Sequence, residues 1–370
     1  MRILVDLTYI GIDARSGIDT YAMRLIRGWI DSGELDKEHI SFVVTNHNEK
    51  TLRNIYPNLD YIILNLYSLY PFTKLFTLIN RYRWRKLIDN LNYDRVFIPF
   101  PTALSSGYIK TKKIVTIHDL QAAKIYKGIK RILQGQILKQ AILNSDKIIA
   151  ISNYTKKNIC EYCKKVDKDK IVVIYNSVIV APQALSIDET LVSDYILYVN
   201  TLTELKNIKT LLLAFNEIKE VISNDLLIVG KMTSYWVTEM IPLINQLGLQ
   251  NRVIHISRYL SNEELTFLYK RAAIFVSPSQ HEGFGYTPIE AAINMTPVIT
   301  STSASLPEVT KNLLSYYHPV NNYKKLSDIM LSKLRNRDDY NNLKKISEIF
   351  SREYAYTSQA LKVLNSVINC

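Results

Sequence analysis

The sequence predicts an α/β protein made of two doubly wound, Rossmann-like domains. Three observations carry that expectation. Short apolar, β-branched runs alternate with longer stretches of helical periodicity along the whole chain, the pattern of a parallel sheet wrapped by helices. With 370 residues and 47% hydrophobic content, the chain can bury two cores of ordinary size. A polar break at 181–193, around Pro182, separates two such series and reads as a linker.

Taken in order, the first series begins with ILVDLT at 3–8, a run that is apolar apart from Asp6 and the closing Thr8. Further strands are expected at 40–45, 61–66, 95–100, 113–118, 147–151 and 171–175. Beyond the break the pattern restarts at 195–200 with YILYVN and continues at 226–230, 253–257, 274–277 and 298–300. The domains are placed at 1–185 and 186–349, with a tail at 350–370. In doubly wound sheets, ligands sit outside the carboxyl ends of the strands.

The most informative stretch is FVSPSQHEGFGYTPIEAAINMTPVITSTSASLPEV, residues 275–309. Two carboxylates eight positions apart, Glu282 and Glu290, surround the glycines Gly283 and Gly285. Upstream, IFVSPS reads as a buried strand; downstream, Thr287 reads as an N-cap with Pro288 at the first helical position. A glycine loop that opens a helix presents backbone N–H groups at the positive end of a dipole, and small residues let an anion approach. A diphosphate fits there. The flanking carboxylates cannot bind phosphate, so their partners are neutral hydroxyls, and the whole reads as a sugar-nucleotide site. The alternative is a capping box, Thr287 with Glu290, which only stabilises the helix, by roughly 1 kcal/mol.

Charge is unevenly divided. Residues 1–185 hold 28 Lys+Arg against 16 Asp+Glu, whereas 186–370 hold 18 of each, so the formal +12 lies wholly in the first half. Between 67 and 89, Lys74, Arg81, Arg83, Arg85 and Lys86 alternate with Tyr70, Phe72, Phe76, Tyr82 and Trp84. A second cluster runs through Lys124, Lys127, Lys130, Arg131 and Lys139. Mixed basic and aromatic side chains on a helix suit an anionic inner-membrane surface. A solvated helix with its aromatics turned to the core is the alternative. No nucleic-acid recognition motif is present, and none is expected to act.

No run of 18 apolar residues is available for a membrane span, and Asp6 interrupts the only stretch that could serve as a signal peptide. A cytoplasmic chain, peripheral on the cytoplasmic membrane face, is expected. Cys160, Cys163 and Cys370 suit a reducing compartment, and the CEYC pair, with no second pair and no nearby histidine, reads as structural. Asp167 and Asp169 have metal-diphosphate spacing but sit in the lysine-rich turn CKKVDKDK, so no metal and no cofactor beyond the donor substrate is expected.

Beyond the two carboxylates, Pro278, Ser279, Gly283, Phe284, Gly285, Ala291, Pro297, Ser301, Ser305 and Pro307 to Val309 stand as in the retaining GT-B glycosyltransferases of family 4, glycosyltransferase group 1, which this segment resembles. The resemblance implies a GT-B fold, two Rossmann-like domains facing a central cleft, with the 350–370 tail crossing back as a helix to the first domain. It implies that Glu290 holds ribose hydroxyls, and that Glu282 with Gly283, Phe284 and Gly285 holds the sugar of a UDP-sugar or GDP-sugar. Tyr286 and Thr287 belong to the same donor-binding run.

Other segments join it. YILYVNTLTELKN resembles the family's segment that ends in a basic pair facing the leaving diphosphate; Lys206 and Asn207 match, while Asn200 replaces a glycine and Leu205 an arginine. Gly17 matches a donor-phosphate glycine, with Asp19 where a second glycine is common. His118 and Asp119, closing the strand VTIHDL, match a position near the reacting sugar, Asp119 as the residue that orients the histidine. Ser152 and Asn176 are in register with the end of the family's first domain, and read equally as strand-end caps. The implied activity is hexose transfer with retention to a hydroxyl of a saccharide or lipid-linked saccharide, in bacterial surface polysaccharide synthesis. The alternatives are a GT-B sugar-nucleotide epimerase and a non-catalytic sugar-nucleotide-binding protein.

Overall fold

The computed structural model describes residues 1–13, 16–66, 73–121, 128–179, 181 and 194–370. Most of the expected linker, and Tyr70, Phe72, Lys124 and Lys127 of the basic clusters, lie outside the described residues, as do the side chains of Lys74, Phe76 and Lys130. The chain forms two compact units, Met1–Ser177 together with Tyr356–Cys370, and Val178–Ala355. The sequence placed these divisions at 185/186 and 349/350. Pairing explains the difference: Val178 bridges Ala355 and donates its N–H to the Tyr354 carbonyl at 2.8 Å, so both crossings are tied into the second unit.

The first unit is a seven-stranded parallel sheet in the order β3-β2-β1-β4-β5-β6-β7. Its strands are β1 (Arg2–Asp6), β2 (His39–Thr45), β3 (Asp60–Leu64), β4 (Arg95–Ile98), β5 (Lys112–Ile117), β6 (Lys147–Ala150) and β7 (Ile171–Val173). Each matches a run read from the sequence, and all but β2 end one or two residues short of it. Continuous apolar runs form these strands because helices cover both faces. Ile3, Val5 and Phe42 pack on the side of the helix Gly17–Asp31, whereas Leu4 and Val43 pack with Trp84 and Ile88 of the helix Thr73–Asn90.

The second unit is a six-stranded parallel sheet, β10-β9-β8-β11-β12-β13. It comprises β8 (Tyr195–Val199), β9 (Leu226–Val229), β10 (Val253–Ile256), β11 (Ala272–Ser277), β12 (Val298–Ser301) and β13 (Ser315–Tyr317). The last, SYY, is a three-residue edge strand without the β-branched apolar run that makes the equally short Ile171–Val173 visible in sequence. Strand order reverses between β1 and β4 and between β8 and β11, and these two switch points locate the ligand ends of the sheets.

The terminal helix Tyr356–Ile368 packs on Gly17–Asp31 within the first unit. The approach is close enough to need a glycine: a Cβ on Gly28 would lie 2.4 Å from the Ala360 Cβ. Trp29, buried, donates its indole N–H to the Ala360 carbonyl at 2.8 Å.

One buried carboxyl stands out. Asp6, at the end of β1, is fully enclosed; Oδ1 accepts the Thr8 N–H at 2.9 Å, while Thr8, Trp84 and Ser105 groups face the carboxyl. Burial dominates and pushes its pKa up to about 6 from 3.8.

Two outcomes follow from this packing. Gly28→Ala should destabilise the protein by about 1–3 kcal/mol through overpacking, and adding Ala360→Gly should recover part of it; equal denaturation midpoints for the single and double variants would contradict the account. For Asp6, the native state binds more protons than the unfolded chain between pH 4 and 6, so its contribution is present below about pH 4 and lost as pH rises through 6. Asp6→Asn should therefore gain stability relative to wild type by up to about 3 kcal/mol between those limits. A difference independent of pH, measured by urea unfolding, would refute the buried ionisation.

Candidate active site

The site is built from loops that follow the switch-point strands. In the second unit, β8 runs into Asn200 and a short 3-10 turn, Glu204–Lys206, while β11 runs into Pro278 and the glycine loop. These two loops are stapled together. Gln280 donates its N–H to the Leu205 carbonyl at 2.9 Å, and Asn207, at φ +56°, donates through Nδ2 to the carbonyls of Pro278 at 3.1 Å and Val320 at 3.0 Å. Thr210 donates to the Asn207 side-chain oxygen at 2.9 Å. Asn207 is thus a structural bracket that presents its neighbour, Lys206.

Lys206 pairs with Glu282 at 2.7 Å, and both side chains are largely buried. The same oxygen, Oε1 of Glu282, also accepts Ser279 Oγ at 2.8 Å and Asn200 Nδ2 at 3.2 Å. Among the described residues none donates to Oε2. The carboxylate is thereby fixed through one oxygen and offers the other. Behind it, Ser305 donates to the Glu282 carbonyl at 2.9 Å and Ser301 to the Ser279 carbonyl at 2.6 Å. Tyr198, fully buried, has its phenol pushed well above 10, first by burial and then by the Glu282 charge.

The helix that follows begins at Tyr286 and runs to Ile293. Gly285 is its N-cap at φ +89°, with no side-chain cap. This corrects the expected capping geometry: Thr287 and Pro288 lie inside the first turn, and no Thr287–Glu290 capping box forms. The reason is the left-handed glycine, which turns the chain into the helix two residues early. A Cβ there would come within 2.8 Å of Leu306. Glu290, half-buried, instead accepts the Tyr269 hydroxyl at 3.3 Å through Oε2. Phe284 is buried, with Tyr286 and Tyr354 rings 5.2 and 5.3 Å away, so its side chain is a core element and only its backbone belongs to the loop.

In the first unit, His118 follows β5. Its ring bonds through Nε2 to the Pro99 carbonyl at 3.0 Å and meets Tyr21 edge-on at 4.7 Å. A carbonyl can only accept, so Nε2 carries the proton and Nδ1 is left as an acceptor. Burial holds the imidazole below its usual pKa and therefore neutral. Asp119 was expected to orient this ring; the Pro99 carbonyl does so, and the Asp119 carboxylate accepts the Gln121 N–H at 3.0 Å. The loop after β4 that supplies Pro99 is itself held by Lys113, which is fully buried and donates to the Gly107 carbonyl at 2.5 Å.

Gly17 opens its helix, and a Cβ on it would meet nothing within 4 Å, so no described neighbour demands a glycine there. Asp19 completes a capping box with Ser16, its carboxylate accepting the Ser16 N–H at 2.9 Å and Ser16 Oγ accepting the Asp19 N–H at 3.1 Å. Ser152 caps the helix Asn153–Tyr162 by accepting the Thr155 N–H at 3.0 Å, and Asp167 caps the turn Lys168–Lys170. Cys160, Cys163 and Cys370 are free thiols. Among the described residues, no group of three or more His, Cys, Asp or Glu is placed to hold a metal, and no helix is long and apolar enough to cross a membrane. Two larger cavities, of about 630 and 420 Å³, open beside the amino ends of the strands, near Asp194 and His39, on the edge opposite these residues.

Sequence reasoning singled out Lys206 and Glu282, which the structure joins, but it treated Asn200 only as a departure and gave Ser279 no role. Their place around Glu282 depends on β8 and β11 being neighbours.

The profile of the Glycosyl transferases group 1 matches residues 187–349, and that of Glycosyltransferase Family 4 matches residues 15–181. The O-antigen chain mannosyltransferase RfbU of Salmonella typhimurium is 30% identical over 247 residues, 63% of this chain and 67% of that protein. An uncharacterized glycosyltransferase of Methanocaldococcus jannaschii is 27% identical over 82% of this chain and 83% of its own length. Among solved structures, Anabaena HepE in complex with UDP and glucose superposes with a TM-score of 0.77 at 14% identity, each chain covered completely. Sucrose-phosphate synthase from Thermosynechococcus elongatus gives 0.75 at 18%, covering 99% of this chain and 98% of that one. At such identities these two likenesses speak for the fold, which is GT-B.

Proposed function

We propose, for a chain that belongs to the family 4, group 1 glycosyltransferases, transfer of a hexose from a UDP-sugar or GDP-sugar to a hydroxyl of a saccharide or lipid-linked saccharide, with retention. The observation that carries the reading is Glu282: an anchored carboxylate with one oxygen open, beside a lysine, at the switch point of a parallel sheet. An open carboxylate oxygen accepts from sugar hydroxyls, and Lys206 with the start of the helix at Tyr286 suits a diphosphate. Glu290 takes the ribose hydroxyls, and the loop Gly283 to Gly285 takes the sugar. RfbU and its like are mannosyltransferases of O-antigen synthesis, which supports a hexose donor and a surface-polysaccharide setting.

In the reaction, the bond from the anomeric carbon to the diphosphate oxygen breaks as the acceptor oxygen attacks on the same face. The acceptor proton passes to the departing phosphate oxygen. Lys206 and the helix N-terminus stabilise the charge that develops there, and no divalent ion is required. In the first unit, the neutral His118 offers Nδ1 as an acceptor to a hydroxyl on the sugar or acceptor side. Gly17, with open space where a side chain would stand, admits a phosphate.

A cytoplasmic protein that contacts the anionic inner-membrane surface completes the proposal. The helices Thr73–Asn90 and Gly128–Leu143 contain eight Lys+Arg and a single acid, Asp89. They expose Leu78 (65%), Tyr82 (65%), Ile129 (74%) and Ile132 (61%), apolar groups among cations. The basic residues are not all available: Arg81 is spent on Gln140 at 2.9 Å and Arg83 on the Asn65 carbonyl at 2.6 Å, while Trp84 is buried.

The donor is identified by screening UDP-sugars and GDP-sugars for thermal stabilisation, since a ligand at 100 times its Kd adds about 2.7 kcal/mol. Lys206→Ala should then cut transfer by at least about 100-fold, and unaffected transfer would end the leaving-group role. Conversion of a free sugar nucleotide without acceptor would favour an epimerase. Replacing Arg85, Lys86, Arg131 and Lys139 by Gln should weaken sedimentation with anionic vesicles, at about 1 kcal/mol per charge, and leave neutral vesicles unaffected; unchanged sedimentation would dismiss the membrane contact.

A further inference from the structure

We propose that Asn200 is a positioning residue for the donor sugar: together with Ser279 it holds Glu282 in place when Lys206 turns to the diphosphate, and so keeps Oε2 aimed at a hexose hydroxyl. The inference rests on the donor-site reading above and assigns a role to a side chain where the family resemblance has a glycine.

The orientation of the amide is settled by its surroundings. Asn200 Oδ1 accepts the Thr201 N–H at 2.9 Å and faces Thr201 Oγ1 at 3.3 Å, so the NH2 group is the one turned to Glu282 Oε1, at 3.2 Å. The backbone carrying it cannot drift. Asn200 donates its N–H to Val229 at 3.1 Å, and its carbonyl lies 2.2 Å from where a Cβ on Gly230 would stand, so the adjoining strand end must be glycine for Asn200 to sit there.

Among the described residues, Lys206 is the only charged donor on Oε1. A diphosphate carries more negative charge than one carboxylate, so the lysine follows it. Oε1 then keeps Ser279 and Asn200. With a glycine at 200 a single hydroxyl would remain, and the carboxylate would be free to rotate. Asn200 thus separates two duties that would otherwise compete for one lysine: reading the sugar and neutralising the leaving group.

The test compares binding of a nucleoside diphosphate with binding of its sugar conjugate, by calorimetry or thermal shift, using UDP with UDP-glucose and GDP with GDP-mannose. In the wild type, one pair should show tighter binding of the conjugate. Asn200→Ala should retain affinity for the bare nucleotide within about twofold and lose roughly tenfold of the added affinity due to the hexose, the usual worth of a hydrogen bond to a charged group. Asn200→Asp keeps the Thr201 contact and the shape, and turns an oxygen on Glu282; it should lose the hexose increment at least as fully, and it serves if the alanine variant folds poorly. A merely structural asparagine would lower the melting temperature of both variants and leave the increment intact, which would overturn the proposal. If neither nucleotide binds the wild type, the donor-site reading itself fails, and this inference falls with it.

Discussion

A single oxygen, Oε1 of Glu282, gathers an ammonium, a hydroxyl and an amide, and the site depends on that convergence. A carboxylate so far removed from water is costly unless it is paired and hydrogen-bonded. The donors come from two loops, Asn200 and Lys206 after β8 and Ser279 after β11, so satisfying the charge also joins the loops. The backbone bond from Gln280 to Leu205 and the Asn207 bracket make the same joint without charge. Removing the ion pair therefore leaves the loops in place while altering what they present. That is the arrangement a binding site needs, rigid in its frame and exchangeable in its contacts.

The frame is in turn set by backbone constraints that side chains cannot replace. Gly285 holds φ +89° against Leu306, and this starts the helix at Tyr286 in place of Pro288. Gly230 admits the Asn200 carbonyl at a distance no Cβ would allow. Both lie beyond strands that are almost wholly buried, Leu226–Val229 and Ala272–Ser277, whose positions are fixed by packing and by ladder pairing with β8. The precision at Glu282 is inherited from the sheet.

Much of this was legible in the sequence, for physical reasons. Parallel strands buried on both faces write themselves as continuous apolar runs, so twelve of the described strands were found, and only the three-residue Ser315–Tyr317 escaped. Glu282, Gly285 and Lys206 were legible because their residue types are hard to explain as packing. What was not legible required spatial adjacency or a dihedral angle. Thr287-Pro288 satisfies every local rule for a helix start, yet the left-handed glycine before it decides the matter. Asp19, standing where a second glycine is common, is engaged in a capping box, which depends on Ser16 being the N-cap. The basic helix at 73–90 was half read: its charges are real, but Arg81 and Arg83 bond to the protein itself, as only the tertiary structure reveals.

The departure at Leu205 acquires a physical meaning from the same contacts. Its carbonyl is the anchor for Gln280, a backbone duty any residue can perform, so the side chain there is not held by the joint. Where the family resemblance has two cations, this unit has Lys206, already paired, and a formal charge of −1 over residues 178–355, 17 Lys+Arg against 18 Asp+Glu. Attraction of the proposed diphosphate to this unit would therefore be local, not a long-range field. Exchanging Glu282 for a phosphate replaces one anion by another around a lysine that stays partly buried, so little new desolvation of the lysine is incurred. The carboxylate left behind does need compensation, which in the proposed complex a sugar hydroxyl donating to Oε2 would supply. In the proposed complex, leaving-group stabilisation and sugar recognition are thus coupled through one side chain: a nucleotide without its hexose would draw Lys206 away and leave Glu282 with two neutral donors, whereas the intact donor would add a hydroxyl to Oε2.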